Sequence, residues 1–260
     1  MKRLLFVSLL AACGGPSAKP VHNPDKPTAP VAITTVDQVI EGSLVAEGGR
    51  AKLAAMTSQR MVATVTLKAQ GIKGTLETLS TPPNNALTRL ELPGIGKIEQ
   101  GVHGDIAWEK NPITGARVLT GIEKSTTVRE ASFMGDLNWK QLYPKSAFKG
   151  VTKFADQDCY QIELTAADGQ VQTRYYAKDT LLPVGIEMVS ESQMGKVPVK
   201  VTNRDWRDQD GFKYPHTVQH EEASQALEFT VDKMEINVPI PAATFEPSDE
   251  IKQLAAAAAK

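Results

Sequence analysis

The sequence predicts an α+β domain: a mainly antiparallel sheet of about ten or eleven short strands, accompanied by two or three helices. Three observations predict it. Residues 61–67 alternate, with Met61, Ala63, Val65 and Leu67 on one face and Thr64 and Thr66 on the other, which is the period of a half-buried strand. Glycines and Asp-Gly or Pro-Pro pairs recur at short intervals, and short connections join antiparallel neighbours. Helical spacing appears in only a few stretches, chiefly 36–56 and 119–133.

In chain order, Val36, Val39, Ile40, Leu44 and Leu53 repeat near 3.6 residues. Thr35 stands where a helix cap belongs, with Gln38 three residues on as in a capping box. Gly48-Gly49 breaks this helix in two. Strands follow at 61–67, 75–79 and 86–92, the last two separated by the turn Pro82-Pro83-Asn84-Asn85. Two shorter strands, 97–100 and 105–110, lie between Gly94, Gly96, Gly101 and Gly104. From Leu119 the rhythm becomes helical, with Ile122, Thr126, Arg129 and Phe133 in one stripe; Trp139, Leu142 and Tyr143 follow and Pro144 stops the segment. A second run of strands starts near Ala147. Asp168-Gly169 and Asp210-Gly211 mark hairpins within it, and the run ends at 225–236.

The ends of the chain read differently. Met1-Lys2-Arg3, the apolar run Leu4 to Leu10 and small residues before Cys13 have the layout of a secretory signal. The run is too short to span a bilayer, which takes about 20 residues. Residues 13–34 carry Pro16, Pro20, Pro24, Pro27 and Pro30 and almost no large apolar side chain. Such a segment cannot bury enough surface to order itself and reads as a tether. The domain is expected over residues 35–250, and residues 251–260, rich in alanine, read as a frayed helical tail.

Composition narrows the function. With 41% apolar residues the chain can build a core, and its net charge of −1 is spread without a basic patch, which argues against nucleic-acid binding. Cys159 lies in a strand-like run and reads as a small buried residue. His216-x-x-x-His220 would be a metal pair on a helix, but on a strand the two side chains stand about 13 Å apart; no metal site and no cofactor are expected. There is no Gly-x-Ser-x-Gly elbow, phosphate loop, His-Glu-x-x-His or Cys-x-x-Cys, so no catalytic residue is assigned. Glu109, Glu123, Glu130 and Asp136 are acidic residues that could gather in space.

Two resemblances add to this. Leu10-Ala11-Ala12-Cys13 is similar to the lipobox of bacterial lipoproteins, which implies cleavage before Cys13 and acylation of its thiol and new amine. Gly14, not Asp, follows the cysteine, which for such lipoproteins implies the periplasmic face of the outer membrane in a two-membraned bacterium. Further on, an ordered series stands out: Gly48-Gly49, Gly104-x-x-x-Trp108, Trp139-x-x-x-Tyr143, Asp158-Cys159-Tyr160, Arg174-Tyr175-Tyr176, Asp179-Thr180-Leu181-Leu182-Pro183, Asp205-Trp206-Arg207, Pro215-His216, and Ile236-Asn237 with Phe245 and Pro247. Together they resemble the outer-membrane lipoprotein-sorting superfamily (LolA/LolB-like) over about 36–247. The resemblance implies a strongly curved, unclosed β-barrel plugged by helices, with a lipid or an acylated protein segment held on the concave apolar face. In that frame Phe133, Trp139 and Leu142 would line the cleft from the helical side. Met61, Val65, Leu67, Leu90 and Leu92 would form its strand-side wall. The alternative is a non-catalytic envelope interaction or scaffold domain with a packed core. Oligomeric state is left open.

Overall fold

A computed structural model of the chain describes residues 32–192, 195–222 and 225–258. Cys13, the signal-like segment and most of the Pro-rich stretch lie outside the described residues.

The domain opens with helix α1 (Val36–Glu47). The Thr35 side chain accepts from the Gln38 backbone N–H at 3.2 Å, and the Gln38 side chain accepts from the Thr35 N–H at 3.1 Å. This is the reciprocal cap expected from sequence. Gly48, at φ +142°, ends α1, and a five-residue helix α2 (Arg50–Ala54) follows. Val39 and Ile40 are fully buried, so the apolar stripe of α1 faces the protein.

Thirteen strands then form one antiparallel sheet: β1 (Gln59–Leu67), β2 (Ile72–Thr81), β3 (Asn85–Leu92), β4 (Gly96–His103), β5 (Ile106–Asn111), β6 (Gly115–Val118), β7 (Lys145–Phe154), β8 (Gln157–Thr165), β9 (Val171–Ala177), β10 (Pro183–Ser192), β11 (Gly195–Gln209), β12 (Phe212–Glu222) and β13 (Gln225–Ile236). Between β6 and β7 lie α3 (Gly121–Glu130), a 3-10 turn (Gly135–Asn138) and α4 (Trp139–Leu142); a second 3-10 turn (Ala242–Phe245) and α5 (Asp249–Ala258) close the chain. The count exceeds the ten or eleven strands and two or three helices expected. Four-residue β6 carries no alternation strong enough to be seen alone, and α2, α4 and α5 are short or sit where composition suggested a break or a tail.

The sheet order is β6-β5-β4-β3-β2-β1-β13-β12-β11-β10-β9-β8-β7, so the first and last strands in the row are free edges and the barrel is unclosed. Sequential strands pair except β6 and β7, which form the two edges; the one long-range closure is β1 with β13, joined in register from Gln59↔Ile236 to Leu67↔Leu227 with a bulge at Val62/Ala63. Asp210 and Gly211 both have positive φ, 54° and 78°, the type I′ geometry that joins twisted strands tightly.

The position of α3 demonstrates the curvature. It touches both β5 and β10, which are eight ladder steps apart in the sheet. Eight steps at about 4.8 Å cover roughly 38 Å. A helix of ten residues is only about 15 Å long. The sheet must therefore bend around α3, leaving a concave inner face toward the helices.

Register assigns that face. Ala63, Leu76, Leu90 and Ile98 fall in one row across β1–β4, and Val65 pairs with Phe229 of β13. On the outer face, Leu79, Leu87 and Trp108 are covered by Phe245 and Ile251 from the C-terminal segment. Ile251 is fully buried and α5 is helical to Ala258, so the first turn of the expected tail docks on the sheet. Gly101 fits here for a steric reason: a Cβ at this position would overlap the Trp108 indole.

Candidate functional site

The inner face encloses a cavity of about 410 Å3. Its floor is Gln59, Thr78, Ser80, Ala86 and Thr88 from β1–β3, and its roof comes from Leu44 and Glu47 of α1, Leu53 of α2 and the segment 130–137 at the end of α3. A smaller space of about 160 Å3 under α3 shares Ala86, Thr88, Glu130 and Ala131 with it. The volume falls in the range of small-molecule sites, about 300–1,000 Å3.

The roof is tied down at several points by polar bonds. The Phe133 N–H donates to the Pro83 carbonyl at 3.0 Å, which fixes the exit of α3 to the β2–β3 turn. Arg50 Nη1 donates to the Leu137 carbonyl at 3.1 Å. Along α3 no residue is fully buried. Its ends are held by Arg117, which grips Glu123 with both Nη atoms at 2.7 and 2.6 Å, and by Asp168, which accepts from Ser125 Oγ at 2.5 Å and Arg129 Nη1 at 3.0 Å.

Behind the 3-10 turn lies a buried polar network. Arg174 Nη1 meets Asp136 Oδ1 at 2.6 Å and its Nε donates to Gln172 Oε1 at 2.6 Å. The Tyr143 hydroxyl donates to the same Gln172 oxygen at 3.1 Å. These partners satisfy the guanidinium well enough for it to remain in the protein interior. Glu47 sits next to this network. Burial pushes its carboxyl up to about 7, although the Ser43 hydroxyl, donating at 2.6 Å, works the other way. Asp136 adds to the rise by charge repulsion. Glu130 is likewise shifted upward by the protein around it, against the pull of Arg129, although the residue lines the cavity with its surface exposed.

The residues expected to line one cleft fall into two groups. Met61, Val65, Leu67, Leu90 and Leu92 come together on the inner face with Ala63, Leu76 and the β13 residues Leu227 and Phe229. Phe133, Trp139 and Leu142 pack instead with α1, α2 and Ile162, Leu164 and Tyr176. Of the eight, only Phe133 lines the 410 Å3 cavity. Trp139 is buried in packing, and Val65 is wholly enclosed by its neighbours. Among the acidic residues, Glu130 and Asp136 do line one space, whereas Glu109 and Glu123 are both held by Arg117. Glu47 was not singled out from sequence. Its signal was available: it continues the buried stripe Ile40, Ser43, Leu44 of α1, and a carboxyl on an apolar stripe is out of place unless the stripe faces something polar.

The remaining candidates behave as structural groups. Cys159 is fully buried and burial pushes its thiol up to about 11. His216 Nδ1 lies 2.9 Å from Asp205 and His220 Nε2 lies 3.5 Å from Glu222. Among the described residues no group of three His, Cys, Asp or Glu could hold a metal ion, and no helix is long and apolar enough to cross a membrane.

No protein-family model and no curated protein matches the sequence. Solved structures do match. A DUF1329 family protein from Desulfovibrio piger superposes with a TM-score of 0.56 at 14% identity, covering 82% of this chain and 98% of its own. A LolA superfamily protein from Nitrosomonas europaea gives 0.55 at 16% identity, covering 83% and 99%. A protein domain from Vibrio parahaemolyticus named for outer membrane lipoprotein sorting gives 0.52 at 13% identity, covering 80% and 95%. At these identities the likeness is one of fold.

Proposed function

From a half-barrel fold shared with a LolA superfamily protein, and from an inner cleft that side chains do not fill, we propose that the chain is a non-enzymatic, lipid-anchored envelope protein that binds a lipid or an acylated protein segment in that cleft. The observation that carries the reading is the cavity of about 410 Å3 between the concave sheet and a roof that includes Leu44, Leu53, Phe133, Met134 and Leu137. Each CH2 transferred there from water contributes about 0.8 kcal/mol, so one acyl chain suffices for firm binding. Lipoprotein or lipid trafficking at the outer membrane is the role that fits such a binder. The lipobox-like Leu10 to Cys13 supplies the anchor, and Gly14 is compatible with the periplasmic face of the outer membrane.

The test is native mass spectrometry of the full chain purified from a two-membraned bacterium. A bound lipid or acyl adduct, lost when the cleft is filled by Thr88→Trp, is expected. A folded protein that carries no adduct and takes up no added lipid would refute the proposal and favour the scaffold reading. For the anchor, Cys13→Ala should release the protein from the membrane fraction, and unchanged membrane association would overturn it.

A further inference from the structure

The cleft is unbalanced in charge. Glu47, Glu130 and Asp136 line it, and among the described residues no lysine, arginine or histidine does; the described lining of the space under α3 adds no cation. Arg174 lies behind Asp136 and is already engaged by Asp136 and Gln172. Glu47 accepts from the Ser43 hydroxyl alone. Glu130 makes no hydrogen bond or ion pair among the described residues. Thr78, Ser80 and Thr88, which carry hydroxyls, line the same space. The opposite side is apolar, through Leu44, Leu53, Phe133, Met134 and Leu137.

Glu130 lines the cleft as an exposed carboxylate without a donor among the described residues, so a ligand that brings one gains a charge-assisted hydrogen bond there. Burial raises both Glu47 and Glu130; Asp136 adds to the rise at Glu47, and Arg129 opposes it at Glu130. An anionic head group entering the cleft would meet Glu47 and Glu130, with Asp136 already paired to Arg174, and no cation among the described lining residues. An ammonium would meet acceptors on several sides, with hydroxyls completing its shell, while its apolar body lay against the leucines and Phe133.

We propose that the cleft selects amphiphiles by their head group, taking those that carry a protonated amine among Glu47, Glu130 and Asp136 and excluding those with a carboxylate or phosphate. The selectivity rests on the ligand-binding reading above and adds the ligand's chemical class to it. Three probes of equal chain length separate the two ideas: dodecylamine, dodecanol and dodecanoate, titrated calorimetrically into the full chain near pH 8 and below their micelle concentrations. Dodecylamine should bind at least about tenfold more tightly than dodecanol, the yield of one charge-assisted hydrogen bond, and dodecanoate most weakly. Glu130→Gln and Glu47→Gln should each shrink the amine's advantage, and together remove it, while dodecanol binding persists. Equal binding of dodecylamine and dodecanoate, or a double variant with its preference intact, overturns the head-group proposal and leaves lipid binding standing. Failure of all three probes to bind the folded protein removes both.

Discussion

Replacing Glu47 by glutamine should change how stability depends on pH, and the size of the change follows from the site. Burial next to Asp136 raises the Glu47 carboxyl from 4.5 to about 7. Between those values the folded protein holds a proton that the unfolded chain has released, so stability falls as pH rises through the window. The contribution is intact below about 4.5 and fully lost above about 7. At about 1.4 kcal/mol per pKa unit the loss amounts to about 3 kcal/mol. Glutamine has the same shape, still accepts from Ser43 and does not titrate. The stability of Glu47→Gln relative to the parent should therefore climb by about 3 kcal/mol between pH 4.5 and pH 8. Urea unfolding of both proteins at half-unit steps measures this directly, and taking the difference cancels every group the substitution leaves alone. The groups facing Glu47, namely Ser43, Asp136 and Arg174, are present in both. A difference that stays flat across the window, or falls, would refute the claim that this carboxyl is buried without adequate compensation.

Three further substitutions probe other parts of the argument. Arg174→Met leaves Asp136 without its cation and should cost about 3 kcal/mol in chemical unfolding, the low end for a buried pair because Asp136 is 32% exposed; adding Asp136→Leu should recover most of it. Thr35→Ala removes the capping box of α1 and should cost about 1 kcal/mol, seen as a shift of the denaturant midpoint at constant slope. Gly101→Val drives a side chain into the Trp108 indole and should cost about 1–3 kcal/mol, together with a change in near-UV dichroism; an unchanged spectrum and stability would mean that the outer face repacks freely.

Much of the fold could be read from local patterns, because its devices are local. The Thr35–Gln38 cap, the Gly48-Gly49 break, the Asp-Gly hairpins and the alternation of β1 each act over a few residues, and each is found where the chain encodes it. The single antiparallel sheet follows from them, since consecutive strands with short links pair with their neighbours. Strand β6 and the docking of α5 were not readable. The first is four residues long, and the second depends on a shallow apolar patch, Leu79, Leu87 and Trp108, assembled from three strands.

The sequence by itself determined the kinds of element, their order and which residues are apolar enough to be enclosed. Tertiary structure alone decided which enclosed residues meet. Curvature of the sheet brings the end of α3 over β3 and sets its other flank near β10. It closes Val65 into solid packing and leaves the space beside Phe133 open. It also carries Glu47, Glu130 and Asp136, distant in sequence, to one cavity. The physical reason is that periodicity reports the face a side chain occupies, whereas the distance between two faces is fixed only by how thirteen paired strands twist and bend around the helices.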